Sequence, residues 1–340
     1  MSQLKNISLW LLLLSPVADA QTVALDRKLL AEAQRYFSPL PTLEKQRQIH
    51  KFTDAQVELG HQLFFDKRLS KHNNQSCASC HNLSQGGADP RPVSPGSEPG
   101  VMGVRNAPTV FNAALNTRQF WDGRAKNVRE QASRPLLNPL EMALSDEAQV
   151  EAIIAAVPGY GERFARAFED KKISFDNITN AIGAYEQTLL TPSPWDEYLD
   201  GKIEALSPQQ RQGLRKFIDH GCVSCHNGVN LGGVAYQKFG LVQPYWELTG
   251  SKKIDEGRFA VTGREEDKYF FRVPGLRQVS ATAPYFHDGS VAKLDDAIDV
   301  MARAQYGRSL PQEDIRDMVL FLQSTAAPLP AEVSKEPVLP

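Results

Sequence analysis

Two short motifs constrain this chain more than any bulk property: Cys77-Ala78-Ser79-Cys80-His81 and Cys222-Val223-Ser224-Cys225-His226. Each is a C-x-x-C pair followed at once by histidine, and together they use all four cysteines of the 340 residues. C-x-x-C-H is the attachment pattern of c-type haem. The two thiols add to the two vinyl groups of one porphyrin, and the adjacent imidazole binds its iron from one face. Disulfides are the default in an exported chain, and zinc also takes cysteine and histidine. Neither accounts for a histidine directly after both pairs. The expectation is two covalently bound haem c groups, with His81 and His226 each filling one axial position.

The first twenty residues read as an export segment. Lys5 supplies the positive start, Ile7 to Leu14 a short apolar run, and Ala18-Asp19-Ala20 the small residues of a cleavage site. Eight apolar residues cannot cross a hydrocarbon core about 30 Å thick, which takes roughly 20 helical residues. No later stretch is long and apolar enough to span. Cleavage after Ala20 and a periplasmic protein without a membrane span are expected. The formal net charge of -2 excludes the basic field that nucleic-acid binding needs.

A helix start precedes each haem motif. Thr53-Asp54-Ala55-Gln56 and Ser207-Pro208-Gln209-Gln210 are capping boxes followed by apolar positions. Further helices are expected over Asp146–Val157, Thr179–Leu190 and Gln312–Gln323, and no region shows a series of hairpin-linked strands. The reading is a mainly α fold, two cytochrome c-like haem domains with long loops. The double proline of Thr191-Pro192-Ser193-Pro194 marks the boundary. The expected parts are a signal peptide over 1–20 and a first haem domain over 21–192. A second haem domain covers 193–326, and a Pro-rich disordered tail covers 327–340.

Several longer blocks narrow the reading further. They are Leu63-Phe64-Phe65-Asp66 with Arg68-Leu69-Ser70, the segment Cys77 to Leu83, and Arg105-Asn106-Ala107-Pro108-Thr109-Val110. Phe120-Trp121-Asp122-Gly123-Arg124, Asn138-Pro139-Leu140-Glu141-Met142 and Ala283 to Ser290 follow. In this order, over roughly residues 50–325, the chain resembles the bacterial di-haem cytochrome c peroxidases and their relative MauG, which matures methylamine dehydrogenase.

The resemblance implies specific roles. The haem on His81 is the low-potential peroxide site, and the haem on His226 is the high-potential electron-entry site. Met301 matches the distal ligand of the second haem; from position alone it would read as a core methionine. Trp121 matches the tryptophan between the haems. Glu141 matches the carboxylate above the peroxide-binding face, and Gln131 a polar residue that holds the peroxide. Asn106, Thr282 and Pro284 match an inter-domain calcium site built largely of carbonyl oxygens and water. His287 lies in a matching block, where a propionate contact and a structural hydrogen bond both fit. His50, His61, His72 and His220 carry no assigned role.

The implied activity is reduction of hydrogen peroxide to water, with electrons from a small soluble cytochrome c or a blue-copper protein. A MauG-like oxidation of residues in a partner protein is the alternative, and a plain electron-transfer cytochrome a more distant one. The family is often dimeric, and no residue here specifies a homodimer. One departure stands out. Most di-haem peroxidases carry a histidine in the loop after the first motif that caps the peroxide iron at rest. Here that loop, Pro95 to Gly100, has none, and Ser97 stands near its place. The first haem is therefore expected to be open in the oxidised protein, with Met102 the nearest strong donor in sequence. MauG has tyrosine as the second haem's distal ligand, so Met301 favours the peroxidase branch.

Overall fold

The computed structural model describes residues 16–340. Most of the expected export segment, including Lys5 and the apolar run, lies outside the described residues. Among the described residues no helix is long and apolar enough to cross a membrane. The elements are almost all helical. The one sheet among them is an antiparallel pair, Tyr236–Lys238 with Phe270–Arg272.

The helix Asp54–Phe65 begins at a capping box: Thr53 Oγ1 accepts from the Gln56 N–H, and the Gln56 side chain accepts from the Thr53 N–H. It packs against the helix Phe175–Glu186, which starts four residues before the expected Thr179. Gly60 makes the close crossing possible, because a Cβ there would sit 1.8 Å from the Ala181 carbonyl oxygen. Leu59, Leu63, Phe64, Ile178, Ile182 and Tyr185 close this first core.

The second unit repeats the plan. Ser207 and Gln210 form the capping box of the helix Pro208–Asp219, with Pro208 at its first turn. That helix packs on Gln312–Gln323, whose bounds are those read from the sequence. Gly213 stands at the crossing, where a Cβ would meet the Asp317 carbonyl oxygen at 1.9 Å. The expected helix over Asp146–Val157 runs Glu147–Ala155, with Asp146 as its cap.

The termini cross between the units. Leu29, Ala33 and Phe37 of the first helix, Pro16–Tyr36 and its end, are buried in the second core beside Trp195 and Tyr198. Residues 327–340, expected to be disordered, lie against the first unit. Leu329 is buried there, the Tyr185 hydroxyl donates to the Val333 carbonyl at 2.6 Å, and Arg68 donates to the Pro340 carbonyl at 3.3 Å. Proline removes backbone donors but fixes an extended path, and Leu329 and Val333 give that path apolar anchors. The boundary segment is tied down as well: Asn112 exchanges hydrogen bonds with Thr191 through both its amide atoms.

Candidate functional site

Each C-x-x-C-H motif opens onto a cavity. The first, of about 1060 Å³, is lined by Cys77, Cys80 and His81, and by Trp121, Gln131 and Glu141. The second, of about 310 Å³, is lined by Cys222, Cys225, His226 and Met301. All four thiols are free and half-buried. The cavities reach the size range of cofactor pockets, roughly 300–1000 Å³.

The proximal sides are built alike. His81 directs Nδ1 to the Gly87 carbonyl at 3.3 Å, and His226 directs Nδ1 to the Leu231 carbonyl at 3.3 Å. With Nδ1–H donating, Nε2 keeps its lone pair for a metal. Burial lowers the pKa of both rings, that of His226 to about 4, so both are neutral imidazoles at ordinary pH. These donor sets fit two haem groups.

The distal sides differ. In the first cavity Gln131 projects from the helix Val128–Leu137, which Asn127 caps by accepting from the Glu130 N–H. Glu141 follows in the turn after that helix, and Asn138 Nδ2 donates to Glu141 Oε1 at 2.7 Å. Burial pushes the Glu141 carboxyl above its usual pKa, against the pull of Asn138 and Arg124. In the second cavity Met301, on the helix Leu294–Tyr306, sits among apolar walls that include Phe217 and Leu322.

Between the two, Trp121, Asn106, Arg272 and His287 line both cavities. Trp121 is held by its indole N–H, which donates to the Asn106 carbonyl at 2.9 Å. Asn106 Nδ2 donates to the Arg91 and Pro92 carbonyls. Thr282 and Pro284 line the second cavity only. Among the described residues no group of three or more His, Cys, Asp or Glu side chains is placed to hold a metal ion. His287 is 2% exposed, its Nε2 has no partner among the described residues, and its ring stacks on Phe271 at 4.4 Å.

Ser97 does not line the first cavity. It is fully buried, its hydroxyl donates to Asn74 Oδ1 at 2.8 Å and accepts from the His72 N–H, and its own N–H donates to the Glu141 carbonyl at 2.6 Å. Met102 is 46% exposed and is also absent from that lining. Of the histidines without an assigned role, His72 pairs with Glu98, His220 with Asp314, and His61 with the Lys335 carbonyl.

Two residues of the site escape the sequence reading. Glu186 is 4% exposed, lines the first cavity, and is raised to about 8 by burial alone. Its signal was a lone acid after the largely apolar stretch Ala181-Ile182-Gly183-Ala184-Tyr185. Arg272 was signalled the same way, as a cation inside Phe270-Phe271-Arg272-Val273.

The family model described as di-haem cytochrome c peroxidase matches residues 54–204. Cytochrome c551 peroxidase of Pseudomonas aeruginosa is 45% identical over 95% of this chain and 92% of its own length. The methylamine utilization protein MauG of Methylorubrum extorquens is 32% identical over 81% of this chain and 79% of its own length. Among solved structures, a MauG-like protein associated with microbial copper homeostasis superposes with a TM-score of 0.73 at 27% identity. It covers 88% of this chain and 95% of its own.

Proposed function

The chain belongs to the di-haem cytochrome c peroxidase family, and from that premise we propose that it reduces hydrogen peroxide to two waters in the periplasm. The reaction consumes two electrons and two protons, and a small soluble cytochrome c or blue-copper protein is the electron source. One observation carries the reading: a half-buried, hydrogen-bonded glutamate, Glu141, stands in the same cavity as the first haem motif.

Cys77 and Cys80 would hold one haem by thioether bonds and Cys222 and Cys225 the other, with His81 and His226 as proximal ligands and Met301 as the distal ligand of the second. Bound there, the haem irons would supply peroxide binding at the first site and electron storage at the second. Glu141 takes the proton of the near peroxide oxygen and delivers it to the far one, which makes that oxygen leave as water. Asn138 aims the carboxylate by donating to Oε1, so that Oε2 is the atom that moves the proton. Gln131 holds the peroxide by its side-chain amide. Trp121 presents a flat ring at the wall common to both cavities, on the route for electrons from the second site to the first.

Met301 supports the peroxidase branch over a MauG-like oxidation of a partner protein, because a thioether with histidine gives the high potential that an electron-accepting site needs. Identity points the same way, 45% to the peroxidase against 32% to MauG. A calcium ion at Asn106, Thr282 and Pro284 would rest on carbonyl oxygens and water. The decisive experiment is steady turnover of peroxide with a reduced small cytochrome. Sustained oxidation of that cytochrome supports the reading. Its absence, with protein-residue oxidation in its place, would replace the reading by the MauG-like one.

A further inference from the structure

Two arginines are buried among the described residues, Arg272 and Arg277, and only Arg277 has a carboxylate partner. Arg277 is 1% exposed and makes two 2.8 Å bonds to Asp196. Arg105 is held by Asp122 and Asp255. Arg272 is 4% exposed and has neither. Its Nε donates to the Phe120 carbonyl at 3.2 Å and its Nη1 to the Val273 carbonyl at 3.4 Å, and no carboxylate of the described residues pairs with it. A buried ion without a counter-ion is strongly destabilising. Burial lowers Arg272 to about 10, which leaves it charged at neutral pH.

The position is held by the backbone. Arg272 ends the strand Phe270–Arg272, and its N–H donates to the Trp121 carbonyl at 2.8 Å. Arg272 is part of the lining of both cavities. The missing partner must therefore be an anion that enters with the occupant of a cavity. Haem brings two such anions, its propionates, and a guanidinium fork matches a carboxylate in two parallel bonds.

We propose that Arg272 is the counter-ion and positioning residue of a haem propionate at the wall between the two sites. The proposal rests on the reading that both cavities hold haem, and haem loading is measured apart from it. Holding a propionate ionised and oriented fixes how that haem meets Trp121, and the guanidinium charge raises that haem's reduction potential.

The test is a redox titration of both haems in the holoprotein and in Arg272→Gln, from pH 6 to 8, with haem stain and intact mass as loading controls. Loss of one positive charge favours the oxidised iron. The oxidised-to-reduced ratio of one or both haems at fixed potential should rise about tenfold, or ~59 mV for one electron. That potential should also become pH-dependent, because the propionate now titrates. Arg272→Lys should restore most of the potential. Two fully loaded haems with unchanged, pH-flat potentials in Arg272→Gln would overturn the proposal. A wild-type chain without two haems would overturn the underlying reading instead. If Arg272→Gln does not fold, the resonance Raman propionate band of Arg272→Lys decides: a shifted band supports the contact, and an unshifted one rejects it.

Discussion

The helices Asp54–Phe65 and Pro208–Asp219 are built alike. Each starts at a capping box, each crosses a later helix at a glycine, and each leads to a C-x-x-C-H motif whose histidine binds a carbonyl through Nδ1. Past the histidines the halves part. The first surrounds a large cavity with Glu141, Gln131 and Glu186, and the second closes a smaller one with Met301 and apolar side chains. The halves share the scaffold around the C-x-x-C-H histidine and differ in the side chains that the following loops and helices bring to each cavity. A proton carrier beside an accessible iron makes a reaction site, and a thioether in a dry pocket makes an electron store.

The largest effect should come from removing the proton carrier. Glu141→Gln preserves shape and the Asn138 contact, and it should lower peroxide turnover by about 10²–10⁴-fold with both haems retained. A loss below about threefold would remove the main chemical difference between the halves. Because burial raises the Glu141 pKa, wild-type turnover should also fall on acidification at a pH above the ordinary carboxylate range. Glu141 must be ionised to accept the proton.

Next comes ligand access. Oxidised protein should bind one cyanide per chain, at the first haem, and show a high-spin ferric signal beside a low-spin one. Ser97 is locked into hydrogen bonds with Asn74 and His72, and Met102 is not part of the cavity lining. Two low-spin signals would erase the contrast and direct attention to Met102 or to Lys252 and Lys253, which line the first cavity from the other unit.

Met301→His should act on the second half alone. Histidine is the stronger donor to ferric iron, so the potential of the second haem should fall while that of the first stays put. An unchanged redox titration would remove Met301 from the ligand set.

The shared scaffold has its own test. Gly60→Ala and Gly213→Ala should each cost about 1–3 kcal/mol by overpacking, since each Cβ meets a backbone carbonyl. Chemical denaturation that spared one of them would show that the two crossings are not equivalent.

The smallest effect concerns Glu186. Its folded pKa, about 8, lies above the ordinary 4.5. The neutral form is therefore favoured in the fold. The stabilisation is full below pH 4.5 and is lost as pH rises toward 8. Glu186→Gln should raise the melting temperature at pH 8 by a few degrees and leave it unchanged at pH 4.5. An equal change at both pH values would show that the carboxyl is not held neutral.

Much of this was legible in the chain itself. The haem motifs, both capping boxes and the helix Gln312–Gln323 depend on residues within one or two helical turns, so spacing alone reveals them. The resemblance of longer blocks pointed to Trp121, Glu141, Gln131 and Met301, which the fold brings to the two cavities. Other features depend on contacts between distant segments. The tail at 327–340 reads as disordered because its prolines break helices, yet Leu329 finds a buried site on a surface made by residues far earlier. The first helix belongs to the second core because Leu29, Ala33 and Phe37 meet Trp195 and Tyr198 only after folding. Glu186 and Arg272 look like stray charges beside apolar residues until tertiary packing turns both into cavity walls. Local hydrogen-bond geometry, which the sequence writes directly, determined where each C-x-x-C-H motif and its capped helix stand. Long-range burial, which depends on the whole chain closing at once, decided which charges line the two cavities.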